Sequence, residues 1–211
     1  MQLAFSTNAY MKYSFAEAAR RLAGLGYNGV EIMADVPHAW PAGLLDEQKQ
    51  AIRKALTDNK LAISNINAFM MNAISDARQR YWHPSWIEPE PGLLIEKADQ
   101  FLELMRHIDS PAVGLNFDIG HFYCVGDDPA ATVPRLAPYI RHFHLEDIAA
   151  TRVHHHLVPG EGAIDFAATL RAIRAIGYQG WITIELYLYV DDPDTAANTA
   201  RRRVMEIMSQ L

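Results

Sequence analysis

The sequence predicts an α/β protein built as a parallel array of β/α units. Short strand-like apolar runs alternate with segments of helical spacing along most of the chain. The helical segments stop at glycine or at polar turns, and the acids and imidazoles suited to chemistry cluster at the ends of the strand-like runs. Such alternation calls for parallel strands joined by right-handed crossovers.

Gln2–Ser6 reads as the first strand. Residues 14–25 then repeat Phe15, Ala18, Ala19, Leu22 and Leu25 at helical spacing and end at Gly26, a C-terminal glycine. Gly29–Met33 is strand-like again. Pro37, Pro41 and Gly43 make a loop, after which Asp46 can cap a helix to about residue 59 with Ile52, Ala55 and Leu56 on its apolar side. Residues 61–67 form a third strand. Between 68 and 92 the alternation fails: Met70, Met71, Tyr81, Trp82 and Trp86 stand among Pro84, Pro89 and Pro91 with neither period. So long an irregular stretch suggests a functional loop, an interface or a join where a segment has been lost. The alternation returns with a helix over 93–108, a strand over 112–117, a helix over 129–137, a strand over Ile140–Leu145, a helix over 165–176, a strand over 181–186 and a last helix from Pro193.

Six strands and six helices result. A closed eight-stranded β/α barrel takes ~250 residues, so at 211 the chain is one or two units short. The expected organisation is a single incomplete β/α-barrel domain over 1–211: the first three strands in 1–67, an irregular join in 68–92 and the remaining units in 93–211.

A net charge of −6 would repel a phosphate backbone, and Arg201-Arg202-Arg203 is a short run expected on a solvated helix face, so nucleic acid is not an expected partner. No run of about 18 apolar residues and no signal-like start occur, which points to a cytoplasmic protein without a membrane span. The single cysteine, Cys124, excludes an intrachain disulfide and a Cys-only zinc site, leaving a packed or partly exposed thiol.

In a parallel β/α array, strand carboxyl ends share one mouth. Asp118 and His121 stand at one such end. His142 and His144 alternate onto one face of the next strand, with Phe143 opposite, and Glu185 interrupts an apolar run in the last. Any one of these acids alone is more often a cap or a salt-bridge partner. Together they form a donor set that Mn²⁺, Mg²⁺, Co²⁺ or Zn²⁺ accepts. The loop over 151–162, with Arg152, three consecutive histidines and Gly160-Glu-Gly162, is either a surface turn or a grip on a polyhydroxy or anionic substrate.

The phrases Gly24-Leu-Gly-Tyr-Asn-Gly-Val-Glu31, Asp118-Ile-Gly-His121, His142-Phe-His-Leu-Glu-Asp147, Pro159-Gly-Glu-Gly162 and Ile184-Glu185 resemble the xylose isomerase-like TIM barrel superfamily of sugar phosphate isomerases and epimerases. The resemblance implies a metal held by Glu88, Asp118, His144 and Glu185. It also implies proton transfer by Glu185 and Glu88 at a carbon α to a carbonyl, with substrate contacts from His121, His156 and Arg152. The substrate would be a small sugar. The family continues after its third strand with further units before an Ile-Glu-Pro phrase, whereas here Ile87-Glu88-Pro89 follows almost at once, as after an internal deletion. Open strand edges then favour a homodimer or higher oligomer that covers the gap. The competing expectations are a catalytically impaired or engineered deletion variant that only oligomerises and, more remotely, an endonuclease IV-like phosphodiesterase.

Overall fold

A computed structural model describes residues 1–68, 97–108, 110–187 and 189–211. The described elements are β1 (Gln2–Ser6), α1 (Phe15–Gly24), β2 (Gly29–Met33), α2 (Asp46–Asp58), β3 (Ala62–Asn67), α3 (Ala98–His107), β4 (Leu115–Asp118), α4 (Ile119–Cys124), α5 (Pro129–Leu136), β5 (Ile140–Leu145), α6 (Phe166–Ala175), β6 (Trp181–Ile184) and α7 (Pro193–Ser209). Single 3₁₀ turns follow β1 at Thr7–Tyr10 and precede α2 at Pro41–Gly43.

The strands form one sheet in the order β3-β2-β1-β6-β5-β4, every pair parallel. The last strand thus returns beside the first, as barrel closure requires, and among the described residues β3 and β4 are the two edges. The described residues thus form an α/β half-barrel of six strands. In β2 and β3, Val30 pairs with Ile63 but Glu31 with Asn65, so Ser64 is an extra residue. That shift turns Asn65 and Asn67 inward to donate to Glu31 at 2.9 and 3.2 Å. Outside the sheet, buried Phe117 and Phe143 meet at 5.4 Å between ring centroids, and Phe122 stacks on Phe117 at 4.3 Å. Apolar outer positions face the helices and polar inner positions line the half-barrel, so the β/α alternation itself carries the site.

Several expectations shift. Asp46 does not cap α2 but occupies its first turn, and the Gln48 side chain accepts the Leu45 N–H instead, at 2.8 Å. The strand expected from residue 112 begins at Leu115, because 111–112 form a turn. A helix absent from the sequence reading, α4, starts directly after the β4 tip. Asp118 caps it by accepting the His121 N–H at 2.8 Å, and six residues are too few to show a helical period. The arginine run is only partly a solvated face: Arg201 donates to the Gly26 carbonyl and Arg203 to the Pro159 carbonyl, both at 3.0 Å, while Arg202 is exposed. Met70, Met71, Tyr81, Trp82, Trp86, Glu88 and the start of the helix expected from residue 93 lie outside the described residues. Among the described residues no helix is long and apolar enough to cross a membrane.

Candidate metal and substrate site

The tips of β1 to β6 converge on one buried polar cluster. Glu185, just past β6, is 6% exposed. Its Oε1 accepts from Asn8 Nδ2 at 3.0 Å and Asn67 Nδ2 at 2.8 Å, which leaves Oε2 facing His144 Nδ1 at 3.5 Å. Asp118 Oδ2 lies 3.6 Å from the same nitrogen. The other ring nitrogen, Nε2, is 2.6 Å from Glu31 Oε2, on a carboxylate with no exposed surface. The Asn116 amide lies 3.1 Å from Nδ1, donating when the ring is neutral and, turned over, accepting when it is charged.

The local reasons follow from strand alternation. In β5, Phe143 points to the helices and His142 and His144 point inward, as their spacing predicts. Both approach the same Glu31 oxygen, His144 at 2.6 Å and His142 at 3.7 Å. Among the described residues His142 Nε2 has no hydrogen-bond partner, and burial together with its charged neighbour His144 lowers its pKa to about 4.

Burial and mutual charge set the remaining ionisations. Burial alone would raise Glu31, but the His144 charge and its hydrogen bond bring the carboxyl down to about 2. Against the same burial, the His121 and His144 charges hold Asp118 well below the usual range. Burial raises Glu185 to about 8, since its His144 neighbour is shared with Glu31 and Asp118. Burial and then the neighbouring Asp118 charge raise Glu146 well above the usual carboxylate range, and its Oε1 accepts the Gly120 N–H at 2.6 Å. Gly120 allows this approach: a β-carbon there would stand 2.0 Å from Glu146 Oε1. Burial would neutralise His144, but Glu31 and Glu185 hold it well above its usual value, as an imidazolium.

The loop after β5 is held by one side chain. Asp147 accepts from the backbone N–H of Gly160 and Gly162 at 2.8 Å through Oδ2, and from Ile148 at 2.9 Å and Ile164 at 3.1 Å through Oδ1. A β-carbon at Gly162 would meet the Ile148 carbonyl at 2.3 Å. The glycines therefore allow a carboxylate to gather the loop, which is more than permitting a turn. Within the loop, His156 is fully buried. It bonds the Glu185 carbonyl through Nδ1 at 2.8 Å and meets His154 Nε2 at 3.0 Å; burial and then His154 keep it neutral. His121 is half exposed, 3.7 Å from Asp118 and edge-on to His154 at 4.4 Å. Arg152 points elsewhere: its guanidinium lies 4.4 Å over the Tyr123 ring and donates to the Tyr123 carbonyl at 2.6 Å. Cys124 is a half-buried thiol whose pKa burial raises to about 11.

A cavity of about 170 Å³ opens above this cluster, lined by Asn67, Asn116, Asp118, His121, His144, His154, Glu185 and Tyr187. Of the sequence-derived candidates, Asp118, His144, Glu185 and His121 thus line one pocket, His156 backs it, Arg152 stands outside its lining, and Glu88 lies outside the described residues. One donor atom from each of Asp118, His144 and Glu185 falls within 4.8 Å of the others, close enough to hold a divalent cation. The fit is also electrostatic: Glu31, Asp118, Glu146 and Glu185 are buried around His144, and Glu185 is raised by burial first and then by the Glu31 and Asp118 charges, which a cation would offset. Sequence reasoning passed over Glu31, Glu146, Asn8, Asn67, Asn116 and Tyr187. Glu31 carried the same signal as Glu185, one acid inside an apolar strand.

Comparison with known proteins agrees with this geometry. An inosose dehydratase of Clostridium beijerinckii is 32% identical over a stretch covering 44% of this chain and 37% of that protein. One of Geobacillus thermodenitrificans is 31% identical with the same coverage. This chain therefore spans well under half the length of the curated relatives it matches. Among solved structures, the probable 3-DHS dehydratase AsbF of Bacillus anthracis superposes with a TM-score of 0.73 at 16% identity, covering 99% of each chain. A D-psicose 3-epimerase of Clostridium cellulolyticum H10 superposes at 0.71 and 15%, covering 98% of this chain and 99% of that one. At such identities these structures establish the fold alone. The sequence pattern described as xylose isomerase-like TIM barrel matches residues 84–207, more than half of the chain, and the protein belongs to that family.

Proposed function

We propose that this chain is a metal-dependent isomerase or epimerase of a small sugar, acting by proton transfer at a carbon α to a carbonyl. The observation that carries the reading is the convergence of Asp118, His144 and Glu185 on one point of a buried pocket. Names of similar proteins, inosose dehydratase and D-psicose 3-epimerase, support a polyhydroxy carbonyl substrate, for which dehydration and epimerisation share the first proton abstraction. The cavity, below the ~300–1,000 Å³ of drug-sized sites, suits a small molecule.

Asp118, His144 and Glu185 would hold Mn²⁺, Mg²⁺, Co²⁺ or Zn²⁺, with Glu88 as the fourth donor that the family resemblance implies. A bound cation supplies Lewis-acid polarisation of the substrate carbonyl and offsets the negative charge of an enediolate. Asn8 and Asn67 fix Glu185 Oε1, so Oε2 is the oxygen presented to the cation and to the substrate. Glu88 is the proposed partner that returns the proton on the opposite face. His121, half exposed at the mouth, is placed to bond a substrate hydroxyl. His156 acts from behind through the Glu185 carbonyl, and Arg152 serves at most at the rim. The same reading treats residues 1–211 as one incomplete barrel domain whose β3 and β4 edges a second copy covers, giving a homodimer or higher oligomer.

The test combines light scattering, elemental analysis and activity on one sample. An oligomer with near one divalent cation per chain is expected, with the cation lost in Asp118→Ala and Glu185→Ala. Exchange of a C–H of D-tagatose or D-psicose with D₂O, followed by ¹H NMR, should depend on the same residues. A folded oligomer that takes up no cation would leave the impaired deletion variant as the better description.

A further inference from the structure

Glu31 is fully buried on β2, and the proton-transfer reading gives it no task. We propose that Glu31 is a positioning residue: it holds His144 with Nε2 protonated and so presents Nδ1 to the cation site. The proposal rests on the metal reading of Asp118, His144 and Glu185.

A carboxylate only accepts, so the 2.6 Å approach of Glu31 Oε2 to His144 Nε2 requires the proton on Nε2. With that proton fixed, Nδ1 is the ring nitrogen left to ligate, and it faces Asp118 Oδ2 at 3.6 Å and Glu185 Oε2 at 3.5 Å. The contact is not between sheet neighbours. β1 and β6 lie between β2 and β5, so Glu31 reaches across the interior of the half-barrel. It is itself aimed: Asn65 donates to Oε2 at 2.9 Å and Asn67 to Oε1 at 3.2 Å, both turned inward by the extra residue Ser64 in β3. His142, at 3.7 Å and without a hydrogen-bond partner among the described residues, is too distant to take Glu31 away from His144. Asn67 also donates to Glu185, so one β3 side chain sets both the anion behind His144 and the carboxylate in front of it. Metal-bound imidazoles characteristically donate their other N–H to a carboxylate, which fixes ring orientation and tautomer.

The test is calorimetric titration of the full chain with Zn²⁺ for wild type, Glu31→Gln, Glu31→Ala and Glu31→Asp, with ¹⁵N-histidine NMR of the Zn²⁺-loaded forms. Zn²⁺ affinity should fall about 10–100-fold in Glu31→Gln and Glu31→Ala and recover in part in Glu31→Asp. In the loaded wild type, His144 should show Nε2 protonated and Nδ1 bound to the metal. Unchanged affinity in folded Glu31→Gln would overturn the proposal, as would a wild-type spectrum that places Zn²⁺ on Nε2. That spectrum decides the matter even where a variant does not fold. A folded wild type that takes up no Zn²⁺ is a separate result, which removes the metal reading and this proposal with it.

Discussion

β2 and β3 are adjacent, parallel and of similar length, yet every residue of Gly29–Met33 is buried and none of Ala62–Asn67 is. Neighbours make the difference. β2 lies between β1 and β3, so Glu31 can be sealed away with its hydrogen bonds satisfied. β3 pairs on one side only among the described residues. Its inward Asn65 and Asn67 are half-buried, while Ile66 between them and Ile63 before the extra residue are 60% and 47% exposed. The same β/α alternation therefore yields a rigid, charge-bearing interior at the centre of the sheet and a tolerant surface at its edge.

The largest expected contrast is in packing. Phe143→Ala, at a fully buried position of β5, should cost about 3–5 kcal/mol in urea unfolding; a cost under about 1 kcal/mol would show that the central layer is loosely packed.

Next comes pH, since the buried titrating groups of the cluster lie in the enclosed interior. Burial lifts Glu185 to about 8, so between pH 6.5 and 8 the native state keeps a proton that the unfolded chain has released, and His144 acts in the same direction. Stability of the metal-free protein should fall over that window by roughly 2 kcal/mol through Glu185 alone, and further through His144. Below pH 6.5, burial keeps His38 and His142 neutral down to about 4 and holds His156 well below its ordinary value, so there the unfolded chain takes up protons that the native one refuses. These three histidines oppose the retained Glu185 proton, and thermal midpoints should peak near pH 6.5. Saturating Mn²⁺ should flatten the alkaline side; a slope unchanged by cation would detach Glu185 from the metal site.

Gly162→Ala should cost about 1–3 kcal/mol by forcing a β-carbon against the Ile148 carbonyl and the Asp147 carboxylate. Gly177→Ala, where nothing lies within 4 Å of the added carbon but φ is +72°, separates backbone strain from crowding. The smallest effect belongs to the edge: Ile66→Ala should change monomer stability by no more than about 0.5 kcal/mol. If light scattering shows an oligomer that Ile66→Lys dissociates, the β3 face is where a second copy sits.

Much of this was legible one residue at a time. The strand at Ile140–Leu145 and the inward pairing of His142 with His144 follow from alternation, which local sterics impose whatever surrounds the strand. Asp118 and Glu185 were legible as lone acids at strand ends. α4 was not, because one and a half turns show no period, and Asp118 proved to be both its cap and a member of the acidic cluster. The family resemblance implied Arg152 as a substrate contact, and its engagement with Tyr123 depends on how the loop folds back, which no local pattern shows.

By itself, the sequence determined the order of β and α units, the face each strand residue takes and the chemical identity of the donors, since these depend on local period and residue type. Only the tertiary structure decided which donors meet. The Glu31 contact with His144 joins residues 113 apart across two intervening strands, and the high pKa of Glu185 comes from burial among neighbours supplied by other strands. Both are long-range effects of desolvation and charge in a shared interior, which no local pattern encodes.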